Sequence, residues 1–435
     1  MIDKNEMPRN WLIAPLETFL DYLQPTKYIV ESTDYHESYK TPVLTAGKSF
    51  LLGYTNETEG IFNQLPTIIF DDFTTAIKFV NFPFKVKSSA MKILVPTSDL
   101  VNIRYVYYFM ETLRITADTH KRYWISVGAK HNIPVPPLAE QQRILAKIEE
   151  LFSELDKGIE TLKTAQQQLK VYRQAVLKYA FEGKLTNPDL KERELPAGWE
   201  IKKISDIAKI NPTLPNKEVI DRNLIVQFLP MKLVEEIVNK IHLTETRKFV
   251  DVLKGSYTPF INNDIIFAKV TPCMENGKIA IVNNLINGIG FGSSEFHVLR
   301  CNEKMLNRYL HRFIVQDKFR NEAQKAMTGA VGLRRVPKQF IENYLIPVPN
   351  TLEEQSKIIQ EIESRLSVCD KIEESIEQGL QQAAVLRQSI LKKAFEGKLV
   401  LQDLNDEPAS VLLERIKEER AIIQPVQKTK TKNVK

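Results

Sequence analysis

Six histidines, three cysteines and scattered acidic pairs are the groups in this chain from which a catalytic or metal centre could be assembled. A metal site needs ligands whose spacing lets them converge, and the histidines show no such spacing. Cys273, Cys301 and Cys369 are odd in number and far apart, so neither a disulfide framework nor a zinc ribbon is expected. Asp71 and Asp72 are neighbours in "LPTIIFDDF". On a strand, neighbouring side chains face opposite sides, which defeats a carboxylate dyad. No G-x-x-x-x-G-K-S/T loop is present to cradle a nucleotide phosphate.

Two fragments come nearer to known chemistry. "INPTL" (Ile210–Leu214) is similar to the Asn-Pro-Pro-aromatic loop with which amino-methyltransferases clamp a flipped base. It lacks the second proline, the aromatic and a preceding glycine-rich cofactor loop, and it reads as a turn after a strand. "NPDLKERE" (Asn187–Glu194) places carboxylates after Pro-Asp, as metal-dependent nucleases do, but it falls in a charged linker. No catalysis is expected of the chain by itself.

Basic residues set among small and aromatic ones offer a different chemistry. "KVKSSAMK" (Lys85–Lys92) carries Lys85 and Lys87, and "THKRYWIS" (Thr119–Ser126) sets Lys121 and Arg122 beside Tyr123. "GAVGLRRVPKQF" (Gly329–Phe340) carries Arg334, Arg335 and Lys338 behind two glycines. Such groups contact phosphates or, for arginine, the edge of guanine. The formal net charge of +6 suits a polyanionic partner without requiring one.

The elements that must position these groups are written twice. "AFEGKL" occurs at Ala180–Leu185 and again at Ala394–Leu399. "IPVPPLAEQQRILAKIEELF" (Ile133–Phe152) matches "IPVPNTLEEQSKIIQEIESRL" (Ile346–Leu366). Gln141 with Gln355, Asp156 with Asp370, Arg173 with Arg387 and Phe181 with Phe395 stand at one constant offset. Prolines and acidic residues suit the start of a long helix in each copy, and Gly183 and Gly397 suit its end.

Apolar residues recur every seven positions. One row is Ile148, Leu155, Leu162, Leu169 and Val176, and the other is Ile362, Cys369, Ile376, Ala383 and Ile390. Leu151, Ala165 and Tyr172, or Ile372 and Leu386, fill the alternate positions, while Gly158, Arg365 and Gly379 weaken the seams. That pattern predicts an antiparallel two-helix coiled coil, each helix about 60 Å long.

The segments ahead of the helices hold β-branched and aromatic runs such as "NNDIIFAKV" and "KIAIVNNLI", separated by turns. Short helices are expected at Tyr105–Leu113 and Met305–Phe319. Trp11 and Trp199 open the two segments in similar contexts. The expected fold is α+β, with two mixed α/β domains separated by the coiled coil and related by a pseudo-two-fold repeat. The expected boundaries are 1–132, a helical spacer at 133–185, a linker at 186–198, 199–345, a second spacer at 346–399, and a basic tail at 400–435. No signal-like start or apolar run of membrane-spanning length is seen, so a cytoplasmic protein without a membrane partner is expected.

The paired helical blocks, each ending in "AFEGKL", resemble the repeated regions of type I restriction-modification specificity subunits. "LTAGKSFLLGYTNETEG", "IIFDDFTT" and "FPFKVKSSAMKIL" resemble one class of their target recognition domains, and "TPCMENGKIAIV" with "GSSEFHVLR" another. The resemblance covers nearly the whole chain. It implies a non-catalytic subunit that binds a two-part sequence in double-stranded DNA, one part per domain. It also implies two modification subunits that methylate adenine with S-adenosylmethionine, and restriction (translocase) subunits that use ATP and Mg2+, so no cofactor is expected in this chain. A solitary DNA-binding subunit would read alike. The candidate DNA contacts are Lys48, Thr74, Thr75, Lys85, Lys87, Lys121, Arg122 and Tyr123 in the first domain. In the second they are Lys269, Arg334, Arg335 and Lys338. The first domain lacks the Gly-x-x-Gly loop of Gly329–Gly332, so contacts of the second need not transfer to it.

Overall fold

The computed structural model describes residues 7–45, 49–113, 123–191, 194–237, 239–330 and 332–430. It divides the chain into two units, one formed by Met1–Leu162 with Gln378–Lys435, the other by Lys163–Glu377. The helices run Leu138–Phe181 and Leu352–Phe395, 44 residues each, with Glu140 and with Glu353 and Glu354 in their first turns. Gly183 (φ 77°) and Gly397 (φ 71°) follow their ends in the left-handed region. A Cβ on Gly183 would lie 2.2 Å from Pro196, and one on Gly397 would lie 2.5 Å from Pro8. Only glycine fits there, both for backbone and for space.

In the first unit, the start of the first helix packs antiparallel against the end of the second. Ile144, Ile148 and Phe152 share a core with Ile390, Leu391 and Phe395. Further along, Asp156 pairs with Arg387 at 3.1 Å, and that guanidinium lies 4.0 Å over the Phe152 ring. Leu162 fills the space beside Gly379, so that glycine admits a seam side chain instead of weakening the seam. The second unit repeats the arrangement from the other halves: Leu177 and Phe181 pack with Ile358, Ile359 and Ile362, and Arg173 bonds Asp370 at 2.7 Å and Glu373 at 2.9 Å.

Most of the seven-residue row is buried, including Ile148, Leu169, Val176, Ile362, Cys369, Ile376, Ala383 and Ile390. Leu155 and Leu162 are half-buried. The alternate row departs from expectation: Tyr172, Ile372 and Leu386 are 44–51% exposed. Two helices cover only a narrow strip of each other, and away from the domains this row falls on its rim.

The main sheets of the two units share a topology. In the first, Leu20–Leu23, Met91–Pro96, Thr67–Asp71 and Ile77–Val80 lie side by side in that order. In the second the order is Ala208–Ile210, Phe296–Cys301, Ile265–Ala268 and Ile279–Ile281. Every pair is antiparallel. A second sheet packs beside each, with three strands in the first unit and four in the second. A two-stranded ribbon, Leu12–Pro15 with Asn132–Val135 or Trp199–Lys203 with Leu345–Pro349, closes each domain at the helix entrance.

One helix of each domain meets the long helices, Ile103–Met110 in the first and Asn307–Ile314 in the second. The expected second helix is thus split, and Asp317–Lys325 continues after a break. Tyr105 donates to Pro134 O at 3.0 Å, and Tyr309 donates to Pro347 O at 2.9 Å. The Phe of each "AFEGKL" wedges onto this helix. Phe181 stacks edge-on at 5.0 Å to both Tyr309 and Phe313, and Phe395 at 5.2 and 5.3 Å to Tyr105 and Phe109. The tryptophan at each entrance locks to a helix start, Trp11 Nε1 to Glu140 at 3.0 Å and Trp199 Nε1 to Glu354 at 2.7 Å.

Residues 400–435, expected as a basic tail, include the helix Ala409–Lys430. Ala409, Leu412 and Ile416 recur at helical spacing and are buried in the first unit's core. Arg420 bonds Asp21 at 2.6 Å, which fixes the helix further along.

Candidate nucleic-acid interface

In the second unit the four expected cations come together at the end of the central strand Ile265–Ala268. Its chain runs on through Lys269 to Thr271, between the turn at Ser293–Glu295 and the segment Thr328–Lys338. Backbone bonds tie the three: Lys269 N to Glu295 O at 2.9 Å, Val336 N to Lys269 O at 2.8 Å, and Thr271 N to Arg334 O at 3.1 Å. Thr328 and Arg335 exchange two more, at 3.0 and 2.8 Å, closing a loop whose glycines Gly329 and Gly332 adopt positive φ.

The side chains divide by role. Glu295 grips Arg335 with both oxygens, at 2.8 Å to Nε and 2.7 Å to Nη2. That bond holds the Glu295 carboxyl below the usual carboxylate range. Arg334 turns inward and donates to Met327 O at 2.9 Å. Lys338 is exposed and pairs with Glu342 at 2.8 Å, and Lys269 is half-buried. Beneath them, His297 Nε2 lies 2.9 Å from Val336 O and Nδ1 3.1 Å from the Asn211 amide. A neutral ring protonated on Nε2 satisfies both, and burial pushes its pKa down accordingly. Asn211 is the asparagine of "INPTL", and it also accepts from Val298 N at 2.9 Å.

The matching corner of the first unit is built differently. Its central strand, Thr67–Asp71, ends in a turn where the Asp71 carboxylate accepts from Phe73 N at 2.7 Å and Thr74 N at 2.8 Å. Asp72 is buried, bonding Lys92 Nζ at 3.1 Å and Trp124 N at 3.0 Å. Thr74 is exposed, and Thr75 takes φ 58° at the tip. Lys87 is exposed on the neighbouring loop, which Asp72 N joins at Ala90 O.

Two expected contacts are absent from this surface. Lys85 is 4% exposed, with its ammonium 2.6 Å from Glu57 and 2.7 Å from Glu59 O. A lysine held between two acceptors in the interior braces the fold. Tyr123 is 5% exposed in the core next to Trp124, whose indole packs 5.5 Å from Phe70. Lys48, Lys121 and Arg122 lie outside the described residues. Glu295 and the Asp72–Lys92 pair were missed from sequence. Glu295 sits inside "GSSEFHVLR", but nothing local marks its partner forty residues on. Among the described residues no group of three or more His, Cys, Asp or Glu is placed to hold a metal, and no helix is long and apolar enough to cross a membrane.

Comparison with known proteins places this architecture. Residues 196–382 match the Type I restriction modification DNA specificity domain. The chain is 37% identical over 280 residues to the Type I restriction enzyme EcoAI specificity subunit of Escherichia coli, covering 54% of this chain and 47% of that one. It therefore spans about half the length of that relative. It is 32% identical over 407 residues to the EcoR124I/EcoR124II specificity subunit of E. coli, covering 87% of this chain and 91% of that one. A chain solved in a study of complex assembly and conformational transition of the type I R-M system shares the fold, with a TM-score of 0.65. That match is 16% identical and covers 90% of this chain and 99% of the other. With two matched domains, two matched helices and a relative aligned along nearly its whole length, the chain belongs to the family of type I restriction-modification specificity subunits.

Proposed function

We propose that this chain is the DNA-reading subunit of a type I restriction-modification complex. It binds a bipartite duplex target, one half per domain, and directs adenine methylation and DNA cleavage carried out by partner subunits in the cytoplasm. The observation that carries this reading is a duplicated scaffold whose two tips differ in chemistry. Identical mountings with different tips suit a target of two unlike halves. The DNA contacts in this reading are Lys269, Arg335 and Lys338 in the second domain, and Thr74, Thr75, Lys87, Lys48, Lys121 and Arg122 in the first. Arg334 shapes its loop.

Two modification subunits bring S-adenosylmethionine, and restriction subunits bring ATP and Mg2+. Exposed apolar residues at matched helix positions support a pair of alike partners: Val171 with Val385, both 70% exposed, and Tyr172 with Leu386. The test is co-expression with a type I modification subunit from the same genome, followed by genome-wide mapping of methylated adenine. A bipartite motif that vanishes when this chain is deleted is the expected result; an unchanged methylome refutes the reading.

A further inference from the structure

The Arg335 guanidinium has five N–H groups in a rigid plane. Glu295 takes two of them along one edge, Nε and one on Nη2. Nη1 reaches Leu333 O only at a long 3.4 Å. The outer end of the plane, with one N–H on each Nη, remains to be matched, and the side chain is 43% exposed. The backbone beneath is clamped by the paired bonds to Thr328 and by a bridge from Arg335 to Val270. A fork fixed at its base and on one edge can meet only a partner that offers two acceptors side by side.

A phosphate and the major-groove edge of guanine both offer that, and charge separates them. Glu295 cancels most of the charge that would draw Arg335 to a phosphate. It leaves intact the directional pair of donors that matches guanine O6 and N7. We propose that Arg335 reads a guanine in the half-site bound by the second domain, with Glu295 as the positioning residue that aims it. This rests on the DNA-reading function proposed above and names the contact that it leaves open.

The test uses the full chain in complex with its methyltransferase, with the methylated motif mapped and duplex affinity measured over a salt series. Arg335→Lys keeps the charge and the surface but removes the fork, so the fold is preserved. It should cut preference for guanine at one position of one half-site by about 10- to 100-fold, leaving other positions and the salt slope unchanged. Glu295→Gln should weaken discrimination at the same position while tightening binding to unrelated duplexes. The inference is overturned if Arg335→Lys keeps every preference. It is also overturned if Arg335→Ala lowers the slope of log affinity against log salt by about one without altering the motif, the mark of a phosphate contact. If Glu295→Gln leaves that position untouched, Glu295 aims nothing. A wild-type complex that selects no bipartite target refutes the DNA-reading function itself; a selective wild type with unchanged variants refutes only this assignment.

Discussion

At corresponding corners of their main sheets the two domains place ion pairs of opposite character. In the second domain, Glu295 and Arg335 stand at the surface, with side chains 25% and 43% exposed. In the first, Asp72 and Lys92 are sealed at 8% and 6%, and the turn they support presents Thr74 and Thr75. Elsewhere the domains agree closely: the Trp–Glu lock, the Tyr–carbonyl bond and the Phe wedge recur at matched positions. The mounting is therefore constrained by geometry common to both units, while the tip is free to differ. A buried pair shapes a loop; an exposed one leaves part of its arginine open to a ligand.

The agreement of the mountings makes the strongest prediction. Phe181→Ala should destabilise the second unit, and Phe395→Ala the first, each by about 3–5 kcal/mol. Hydrogen exchange followed strand by strand in urea would show it, and a loss spread over both units, or a large inequality, would break the equivalence. The tips should respond unequally. Asp72→Ala strands a buried ammonium and should cost about 3–5 kcal/mol in the first unit, whereas Glu295→Ala removes a surface pair and should cost less than about 1 kcal/mol. Similar melting shifts for both variants would contradict the contrast in burial.

A further asymmetry is set by pH. His311 occupies the place on its helix that Tyr107 holds in the first domain. It is 1% exposed, and burial lowers its pKa to about 4. The unfolded chain then binds the proton first as pH falls from about 6.5, so stability is full above that value and declines toward pH 4. The loss is about 3 kcal/mol and belongs to the second unit. Exchange rates in the strand Ile279–Ile281, whose Ile279 O lies 3.2 Å from His311 Nε2, should rise over that window, and His311→Gln should reduce the response, leaving the part due to His297, whose pKa burial also lowers. Equal acid sensitivity in both units would argue against it.

Much of the mounting was legible in the sequence because its causes are local. The seven-residue period, the prolines ahead of each helix and the glycines behind it act within a few turns of chain. One regularity went unused: "RYVYYF" at Arg104–Phe109 and "RYLHRF" at Arg308–Phe313 mark the two helices that receive the wedges. The tips were legible only in part. Arg335 and Lys338 were expected as candidates, yet Lys85 and Tyr123 carried the same local signature and proved to be interior.

The sequence by itself determined that the chain runs twice through one plan, where each helix begins and stops, and which seven-residue row lies in the seam. Period, caps and turn chemistry are written in neighbouring residues. Tertiary structure decided which cations face outward, that Phe181 wedges into the second domain and Phe395 into the first, and that the terminal helix completes a core. Those outcomes depend on partners far along the chain: Glu57 for Lys85, Glu295 for Arg335, Tyr105 for Phe395. Burial and ion pairing join groups that only the folded chain brings within reach.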